Sequence, residues 1–241
     1  MKILITNDDG VHAAQLIPLI RWCQSKGDVT VVVPKFEQSG KSHSIEIRKP
    51  FEIRQAALEP GITVWTVDST PADCVRFAVS GLKQTYDLCI SGINRGYNLG
   101  YDIMYSGTFA AACEAAHKGI KAIALSTSIK YYDQAVTHME EIFRFVEDHQ
   151  LMKQGNLYNI NIPVSPKGFR ITSQGGDSFC EEFIPLGNDL YAPGGCPLKA
   201  DGLDGSLDTN AVKDGYISVT PMVIGRTNWD VLGRINTQEK T

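Results

Sequence analysis

The sequence predicts an α/β protein built on a doubly wound, mainly parallel sheet. Short apolar runs rich in β-branched residues recur along the chain, as is typical of parallel strands that are buried on both faces. Segments with helical periodicity separate these runs, and such an alternation of strands and helices indicates a doubly wound sheet. The chain has 241 residues, of which 43% are hydrophobic, so it can bury a substantial core in one large domain.

The start of the chain is a predicted β-α-β unit. Residues 1–6 and 29–34 are predicted strands, because both runs are short, apolar and β-branched. Four apolar residues between them are spaced as on one face of a helix: Leu16, Ile17, Ile20 and Cys23.

Two further strands and a helix follow this unit. Residues 51–55 and 63–67 are predicted strands. Thr70 is placed to act as an N-cap, and Pro71 stands at the first helical position, where proline is favoured. This start predicts a helix that continues to about Leu82.

The middle of the chain repeats the alternation. Residues 106–118 are a predicted alanine-rich helix, which Gly119 ends. Residues 133–149 are a predicted amphipathic helix, because their apolar side chains lie on one face. The predicted strands of this region follow in order: 87–91, 121–126, 157–162 and 169–172.

The pattern changes after about Gly175. A turn at residues 187–189 separates two extended stretches, which predicts a hairpin over 179–191. Residues 194–214 are rich in Gly and Asp and are predicted to be loop, and 216–221 is a predicted short strand. Because an isolated hairpin is only marginally stable in water, we expect this one to pack on a partner subunit.

We expect one domain, residues 1–241, with a core over 1–175 and a C-terminal extension over 176–241. The formal net charge is −4 and no run of Lys or Arg exists, so we expect no groove for a nucleic acid polymer. Six cysteines without a C-x-x-C pair indicate reduced thiols rather than a disulfide framework. No signal peptide precedes the first strand and no apolar run is long enough for a membrane, so we expect a soluble, cytoplasmic protein.

Two adjacent carboxylates, Asp8 and Asp9, follow the first predicted strand directly. Ligands of open α/β sheets bind at the carboxyl ends of the strands. Because neighbouring acids repel each other, Asp8 and Asp9 with flanking Asn7 and Gly10 favour a divalent metal site. The alternative is that one acid caps the next helix.

Polar residues that follow the other strands could complete such a site. Ser39 follows the second strand and offers a neutral hydroxyl, although a polar loop at this point is common. Asn94 offers a carbonyl oxygen to a metal and Asn98 an amide donor to an anion, within the glycine-rich segment 91–100. A long surface loop that needs glycine for its turns is the alternative.

A helix that starts at Ser106 is a candidate phosphate cradle. Helix N-termini present N–H groups and the positive end of the dipole, and Ser106 and Thr108 add hydroxyl donors. An ordinary serine N-cap is the alternative. The adjacent position of Asp8 and Asp9 disfavours a covalent aspartyl-phosphatase, which would use Asp-x-Asp.

Together these segments resemble the survival protein SurE family, whose members are metal-dependent nucleotidases. The resemblance spans most of the chain in order, and its motifs are long and specific. They comprise residues 7–10, 38–42, 70–75, 91–100, 105–108 with the alanines that follow, Glu114, and 216–221.

The resemblance implies a Rossmann-like fold with a C-terminal β-hairpin extension for oligomerisation, as a homodimer or homotetramer. It implies one Mg²⁺ or Mn²⁺ per subunit, held by Asp8, Asp9, Ser39 and Asn94. It implies phosphate contacts from Asn98, Ser106, Gly107 and Thr108.

The implied activity is that of a 5′-nucleotidase, which hydrolyses nucleoside 5′- and 3′-monophosphates and in some members short polyphosphate. We expect water activated by the metal to attack phosphorus, with Asp8 or Asp9 as the catalytic proton acceptor. One departure from the family pattern lies near the site. Ala14 and Gln15 replace the family's usual Pro-Gly, which leaves the turn before the first helix less constrained.

Two other functions remain as alternatives. A non-catalytic module that senses nucleotide or phosphate would use the same glycine loop and helix start, although an anion site gains nothing from two carboxylates. A structural protein of stress survival would depend mainly on the hairpin.

Overall fold

A computed structural model describes residues 1–177, 179–197 and 204–238 of the chain. In these residues a nine-stranded, mostly parallel sheet is flanked by helices on both faces, and a two-stranded antiparallel sheet is separate from it. The predicted α/β class is therefore confirmed.

The described strands and helices follow the predicted alternation. The strands are β1 Lys2–Thr6, β2 Asp28–Pro34, β3 Ile53–Glu59, β4 Ile62–Val67, β5 Leu88–Arg95, β6 Lys121–Thr127, β7 Leu157–Ile162, β8 Phe169–Ile171, β9 Phe179–Gly187, β10 Leu190–Pro197 and β11 Ile217–Pro221. The α-helices are α1 Leu16–Gln24, α2 Pro71–Arg76, α3 Gly107–His117, α4 Met139–Asp148, α5 Leu151–Gln154, α6 Asp208–Lys213 and α7 Trp229–Gln238. A π-helical turn, Phe77–Gly81, continues α2, and 3-10 helices span Gly100–Tyr105 and Ile129–His138.

The parallel part of the central sheet is doubly wound about β1. Its strands lie in the order β4-β2-β1-β5-β6-β7, so the order reverses at β1, which pairs with β2 on one side and β5 on the other. Such a reversal opens a crevice at the carboxyl ends of the strands. Since β1 ends at Thr6, the segment 7–10 lies in this crevice.

Side chains of β1 alternate between two cores, one on each face of the sheet. Ile3 and Ile5 pack with residues of α1 and α4, whereas Leu4 packs with residues of α2 and α3. All three are fully buried, which explains why the strand is apolar at consecutive positions instead of alternating.

Several predicted elements differ in type or extent from those of the structure. The helix predicted at 133–149 is α-helical only from Met139, and a 3-10 helix precedes it. The apolar residues that indicated an α-helix lie mostly in α4, and Val136 alone belongs to the 3-10 helix, so the periodicity did not fix where the α-helix begins. The strand predicted at 51–55 begins at Ile53 and continues to Glu59, because antiparallel pairing with β4 sets its length.

The chain after residue 175 occupies two places. β9 and β10 form the predicted hairpin, which is confirmed. β11 returns to the central sheet, where it pairs antiparallel with β7 and parallel with β8. The boundary at residue 175 stays a prediction.

Part of the stretch predicted as loop at 194–214 is ordered. Residues 194–197 belong to β10 and 208–213 form α6, while 198–203 lie outside the described residues. α7 was not predicted from the sequence. No helix in the described part of the chain combines the length and apolar character needed to cross a membrane.

Candidate active site

A cavity of about 390 Å³ opens at the carboxyl ends of β1 and β5. Five of the predicted site residues line it: Asp8, Ser39, Asn94, Asn98 and Ser106. The other three, Asp9, Gly107 and Thr108, adjoin these residues in sequence. A larger cavity of about 560 Å³, lined by parts of residues 38–52 and 68–70, contains none of the predicted site residues.

Asp8 is held by the first turn of α3. Thr108 donates both its hydroxyl and its backbone N–H to the carboxylate of Asp8. Gly107 permits this approach, because a Cβ at that position would lie only 2.9 Å from the Cβ of Asp8. Burial raises the pKa of Asp8, while the hydrogen bonds from Thr108 oppose the rise.

Asp9 lies beside Asp8 and is less buried. Its Oδ2 accepts a hydrogen bond of 3.1 Å from the backbone N–H of Arg95. Burial, and then the charge of Asp8, raise the pKa of Asp9 to about 6. Neither acid caps α1, whose N-cap residue is Gln15, so the capping alternative is wrong.

The loop after β2 brings Ser39 to the same cavity. The backbone N–H of Gln38 donates to the carbonyl oxygen of Asp8 at 2.7 Å, which ties this loop to the end of β1. The hydroxyl of Ser39 donates to Oε1 of Glu37 at 2.7 Å. Its oxygen therefore keeps lone pairs that can bind a cation.

Asn94 belongs to the last part of β5, which is longer than the strand predicted from the sequence. Its Nδ2 donates to the carbonyl oxygen of Gly96 at 2.9 Å, so the orientation of the amide is fixed. The remaining Oδ1 is an acceptor atom suited to a metal. The strand is irregular between Ser91 and Asn94, where a Cβ on Gly92 would lie 2.3 Å from the carbonyl oxygen of Leu125.

The side chains in and beside the cavity fit a hard divalent cation. They offer oxygen ligands, as Mg²⁺ and Mn²⁺ prefer. The donor residues are Asp8, Asp9, Ser39 and Asn94. In the described part of the chain no group of three or more His, Cys, Asp or Glu side chains could hold a metal, so a site of that composition has no support there.

Asn98 is clamped by polar side chains of the neighbouring strands. Its backbone N–H donates to Oδ1 of Asn161 at 2.9 Å, and its carbonyl oxygen accepts bonds of 2.8 Å from Nδ2 of both Asn159 and Asn161. Its own Nδ2 donates to the hydroxyl of Ser126 at 2.8 Å. Asn98 is 7% exposed, so these bonds fix one of the most buried residues of the cavity wall.

Asp208, the first residue of α6, fixes the end of the same glycine-rich segment. Its Oδ2 accepts from the backbone N–H of Gly100 at 3.0 Å, and its Oδ1 accepts from Gly175 at 2.8 Å and Thr209 at 2.7 Å. Asp208 is 1% exposed, and burial raises its pKa against these hydrogen bonds. A residue of the C-terminal region therefore positions the loop of the site.

The start of α3 is the predicted anion cradle. Ser106 caps the helix by accepting the N–H of Phe109 at 3.0 Å, and its hydroxyl proton can still be donated. The N-cap interpretation of Ser106 is therefore confirmed, while its contact with phosphate stays a prediction that the cap leaves open. The hydroxyl of Thr108 is bonded to Asp8, and the contact of Thr108 with phosphate stays a prediction.

Several residues of the site region were not found from the sequence. Phe179 and Glu181 of the hairpin line the cavity together with Asp102 and Tyr105, but nothing in their spacing indicates this. The Asn residues of β7 could have been recognised from the sequence as part of a polar network. An Asn in a fully buried strand needs hydrogen-bond partners, and this requirement indicates a polar network.

The family model described as survival protein SurE matches residues 3–181. The chain belongs to the SurE family. Proteins named 5′-nucleotidase SurE are similar over nearly the whole chain. That of Thermosipho melanesiensis is 37% identical over 246 residues, which cover 98% of this chain and 96% of the relative. That of Legionella pneumophila (strain Philadelphia 1) is 34% identical over 247 residues, with the same two coverages.

A solved SurE structure has the same fold. The crystal structure of the SurE protein from Aquifex aeolicus matches with a TM-score of 0.82 at 30% identity, and the match covers 99% of this chain and 100% of that chain. The family resemblance and the fold predicted from the sequence are thus confirmed.

Proposed function

We propose that this SurE-family protein is a metal-dependent nucleotidase that hydrolyses nucleoside 5′-monophosphates. The observation that supports it most directly is the pair of adjacent carboxylates at the end of β1, of which Asp8 is buried, lines the cavity and is bonded to the start of α3, while Asp9 lies beside it. SurE relatives named 5′-nucleotidase, at 34–37% identity over nearly the whole chain, support the substrate class.

One Mg²⁺ or Mn²⁺ per subunit is the proposed cofactor. Asp8, Asp9, Ser39 and Asn94 are its proposed ligands, since together they present oxygen donors at one place. A bound cation of this kind offsets the charge of the phosphate and lowers the pKa of water. The protein's part is to hold the two carboxylates in place, which Thr108 does for Asp8 and the backbone of Arg95 for Asp9.

The proposed phosphate contacts come from the start of α3 and from the glycine-rich segment that follows β5. Asn98, Ser106 and Gly107 would face the phosphoryl oxygens with amide, hydroxyl and helix N-terminal N–H groups. Thr108 is included in the predicted set, and its hydroxyl in addition orients Asp8. Asp8, which lines the cavity, or Asp9 beside it would accept the proton of the attacking water.

The proposal extends to 3′-monophosphates and short polyphosphate, because the proposed contacts grip a terminal phosphoryl group and not the rest of the substrate. Asp102 and Glu181 line the cavity with acidic side chains, which disfavour a long polyanion. We therefore expect short polyphosphate to be a poorer substrate than a nucleotide.

A homodimer or homotetramer is the proposed assembly. The hairpin exposes large apolar side chains, and so does α7. They are Phe183, Leu186, Leu190 and Tyr191 on the hairpin, and Trp229 and Ile235 on α7. Exposed large apolar side chains concentrated on two elements of this region favour an interaction surface, which supports the proposed division into a core, 1–175, and an extension for oligomerisation, 176–241.

Substitution of each carboxylate tests the proposed activity. Asp8→Asn and Asp9→Asn keep the shape of the side chains and remove their charge, so phosphate release from adenosine 5′-monophosphate with Mn²⁺ should fall by at least about 100-fold. EDTA should abolish release by the unmodified protein, and added Mn²⁺ should restore it.

Asp148→Asn is the matched control, because Asp148 is an exposed acid at the end of α4. This variant should keep full activity. Undiminished phosphate release by both site variants, or by the EDTA-treated protein, would show that the proposed chemistry is wrong. Nucleotide binding without any release of phosphate would favour the sensing module.

A further inference from the structure

The base of the hairpin brings two thiols together. Cys180 on β9 and Cys196 on β10 are directly opposite partners in the antiparallel register, and their Sγ atoms lie 2.7 Å apart. In the sequence they are separated by 15 residues, and no spacing motif marked them as a pair.

The backbone at this position satisfies the geometry that a disulfide needs. Directly opposite residues of an antiparallel pair have Cα atoms about 4.5–5.5 Å apart, which lies within the range found for disulfides. Gly195 allows the two strands to approach closely here, because a Cβ on it would lie 1.9 Å from the carbonyl oxygen of Cys180. No backbone movement is therefore needed to join the two sulfur atoms.

These two cysteines also differ from the other four in their access to reagents. Cys196 is exposed and Cys180 is partly buried. Cys23, Cys74, Cys89 and Cys113 are buried in the core. All six are free thiols in the structure, so an oxidant in solution meets the hairpin pair first.

We propose that Cys180 and Cys196 are a reversible dithiol site, which small-molecule disulfides of the glutathione class oxidise to a cross-strand disulfide. The thiolate of Cys196 attacks the reagent, forms a mixed disulfide and releases one thiol. The thiolate of Cys180 then attacks the sulfur of Cys196 and releases the second thiol. In total, two protein thiols become one disulfide, and one reagent disulfide becomes two thiols.

The position of the pair gives this reaction a consequence for the cavity. Phe179 and Glu181, the two neighbours of Cys180, both line the cavity that contains Asp8. A covalent link between β9 and β10 restricts the movement of these two side chains. The link itself is independent of the proposed nucleotidase activity, whereas its effect on substrate binding rests on that proposal.

Intact-mass measurement of the full chain tests the link. After treatment with oxidised glutathione under native conditions, the protein should lose the mass of two hydrogen atoms and two titratable thiols, and dithiothreitol should reverse both losses. Cys180→Ser should instead retain one glutathione on Cys196, because the resolving thiol is missing. A stable glutathione adduct on the unmodified protein, or a disulfide between two chains, would overturn the proposal.

Kinetics tests the effect on the cavity. The oxidised protein should show a KM for adenosine 5′-monophosphate that is lower by about 2- to 10-fold with kcat unchanged, because the cost of ordering Phe179 and Glu181 is removed. The Cys180→Ser/Cys196→Ser double variant should show no response of KM to glutathione. An unchanged KM in protein whose mass shows the disulfide would refute the effect on the cavity. Lack of turnover in both redox states would refute the nucleotidase and leave the disulfide standing.

Discussion

The buried end of the central sheet and the exposed hairpin both contribute to one cavity, but they are built in opposite ways. Asp8 and Asn98 are each at most 7% exposed and are held by hydrogen bonds from other elements. Phe179 and Glu181 lie on an exposed two-stranded sheet, which pairs with no strand of the central sheet in the part of the chain that the structure describes. The contrast suggests that the sheet end sets the chemistry, while the hairpin adjusts which substrates bind well.

The largest effect on the reaction rate is expected for a substitution at Gly107. Gly107→Ala places a methyl group against Asp8, whose carboxylate must shift, and a misplacement of about 1 Å can cost about 100-fold in rate. The same Cβ would lie 3.1 Å from Cγ of Pro71, so we expect some loss of stability beside the loss of rate. Steady-state kinetics and thermal unfolding together check this expectation.

Gly233→Ala in α7 is the matched control, because a Cβ there meets no atom within 4 Å. It should leave kcat unchanged. Equal kcat values for Gly107→Ala and Gly233→Ala would show that the sheet end is no more sensitive to an added methyl group than the C-terminal region.

The second largest effect is expected at Asn161. Asn161→Leu removes both the acceptor of the N–H of Asn98 and one donor to its carbonyl oxygen. An unsatisfied buried group costs about 1–3 kcal/mol, and the released loop should also lower kcat. Urea unfolding measures the loss of stability, and phosphate release measures kcat.

Asn228→Ala is the control for Asn161→Leu, because it is expected to lower stability without lowering kcat. Oδ1 of Asn228 accepts the N–H of Val231 at 3.0 Å near the start of the exposed helix α7, so its loss should cost about 0.5–2 kcal/mol without a change in kcat. A fall in kcat of similar size in both variants would mean that Asn161 acts only through overall stability.

A smaller effect is expected at Glu181. Glu181→Gln removes one acidic charge from the cavity wall, so kcat/KM for tripolyphosphate should rise by about 2- to 5-fold relative to adenosine 5′-monophosphate. Glu182→Gln is the control, since successive residues of a strand point to opposite faces and Glu182 does not line the cavity. Equal responses of the two variants would indicate a long-range effect of net charge.

The smallest effect, which concerns stability, is expected at Glu114. This residue belongs to the core region, but its ion pairs lie near the surface. The hydrogen bond from His43, with a further contribution from Lys118, lowers the pKa of Glu114 below its usual value of 4.5. The stabilisation is therefore present above pH 4.5 and is lost as the pH falls through the lowered folded-state pKa.

Glu114→Gln should reduce the free energy of unfolding at pH 7 by no more than about 1 kcal/mol. The difference from the unmodified protein should shrink as the pH falls below about 4. Urea unfolding at several pH values measures it. A difference in the free energy of unfolding that grows as the pH falls would contradict the stabilising role given to Glu114.

Local sequence signals were enough to predict much of the fold. Thr70 accepts the N–H of Asp73 at 3.2 Å, and Pro71 begins α2, as their order along the chain indicated. The paired acids after β1 could be recognised for the same reason, because a buried strand and the residues that follow it are contiguous in sequence. These signals need no knowledge of distant partners.

Features that depend on distant partners could not be predicted in this way. Asn98 is held by Asn161, 63 residues away, and Gly100 by Asp208, 108 residues away. The opposition of Cys180 and Cys196 depends on the register of the hairpin, and a shift of one residue would separate the two thiols. The bond of Thr108 to Asp8, 100 residues away in sequence, likewise had no local signal.

The bond between Asp208 and Gly100 has a consequence for how the protein is made. A ribosome delivers Asp8 and Asn98 long before it delivers Asp208, so a nascent chain contains both residues while Gly100 still lacks its acceptor. β11, which fills the space between β7 and β8, arrives even later. Translation that stops before residue 208 therefore yields a fragment in which the N–H of Gly100 lacks its carboxylate acceptor.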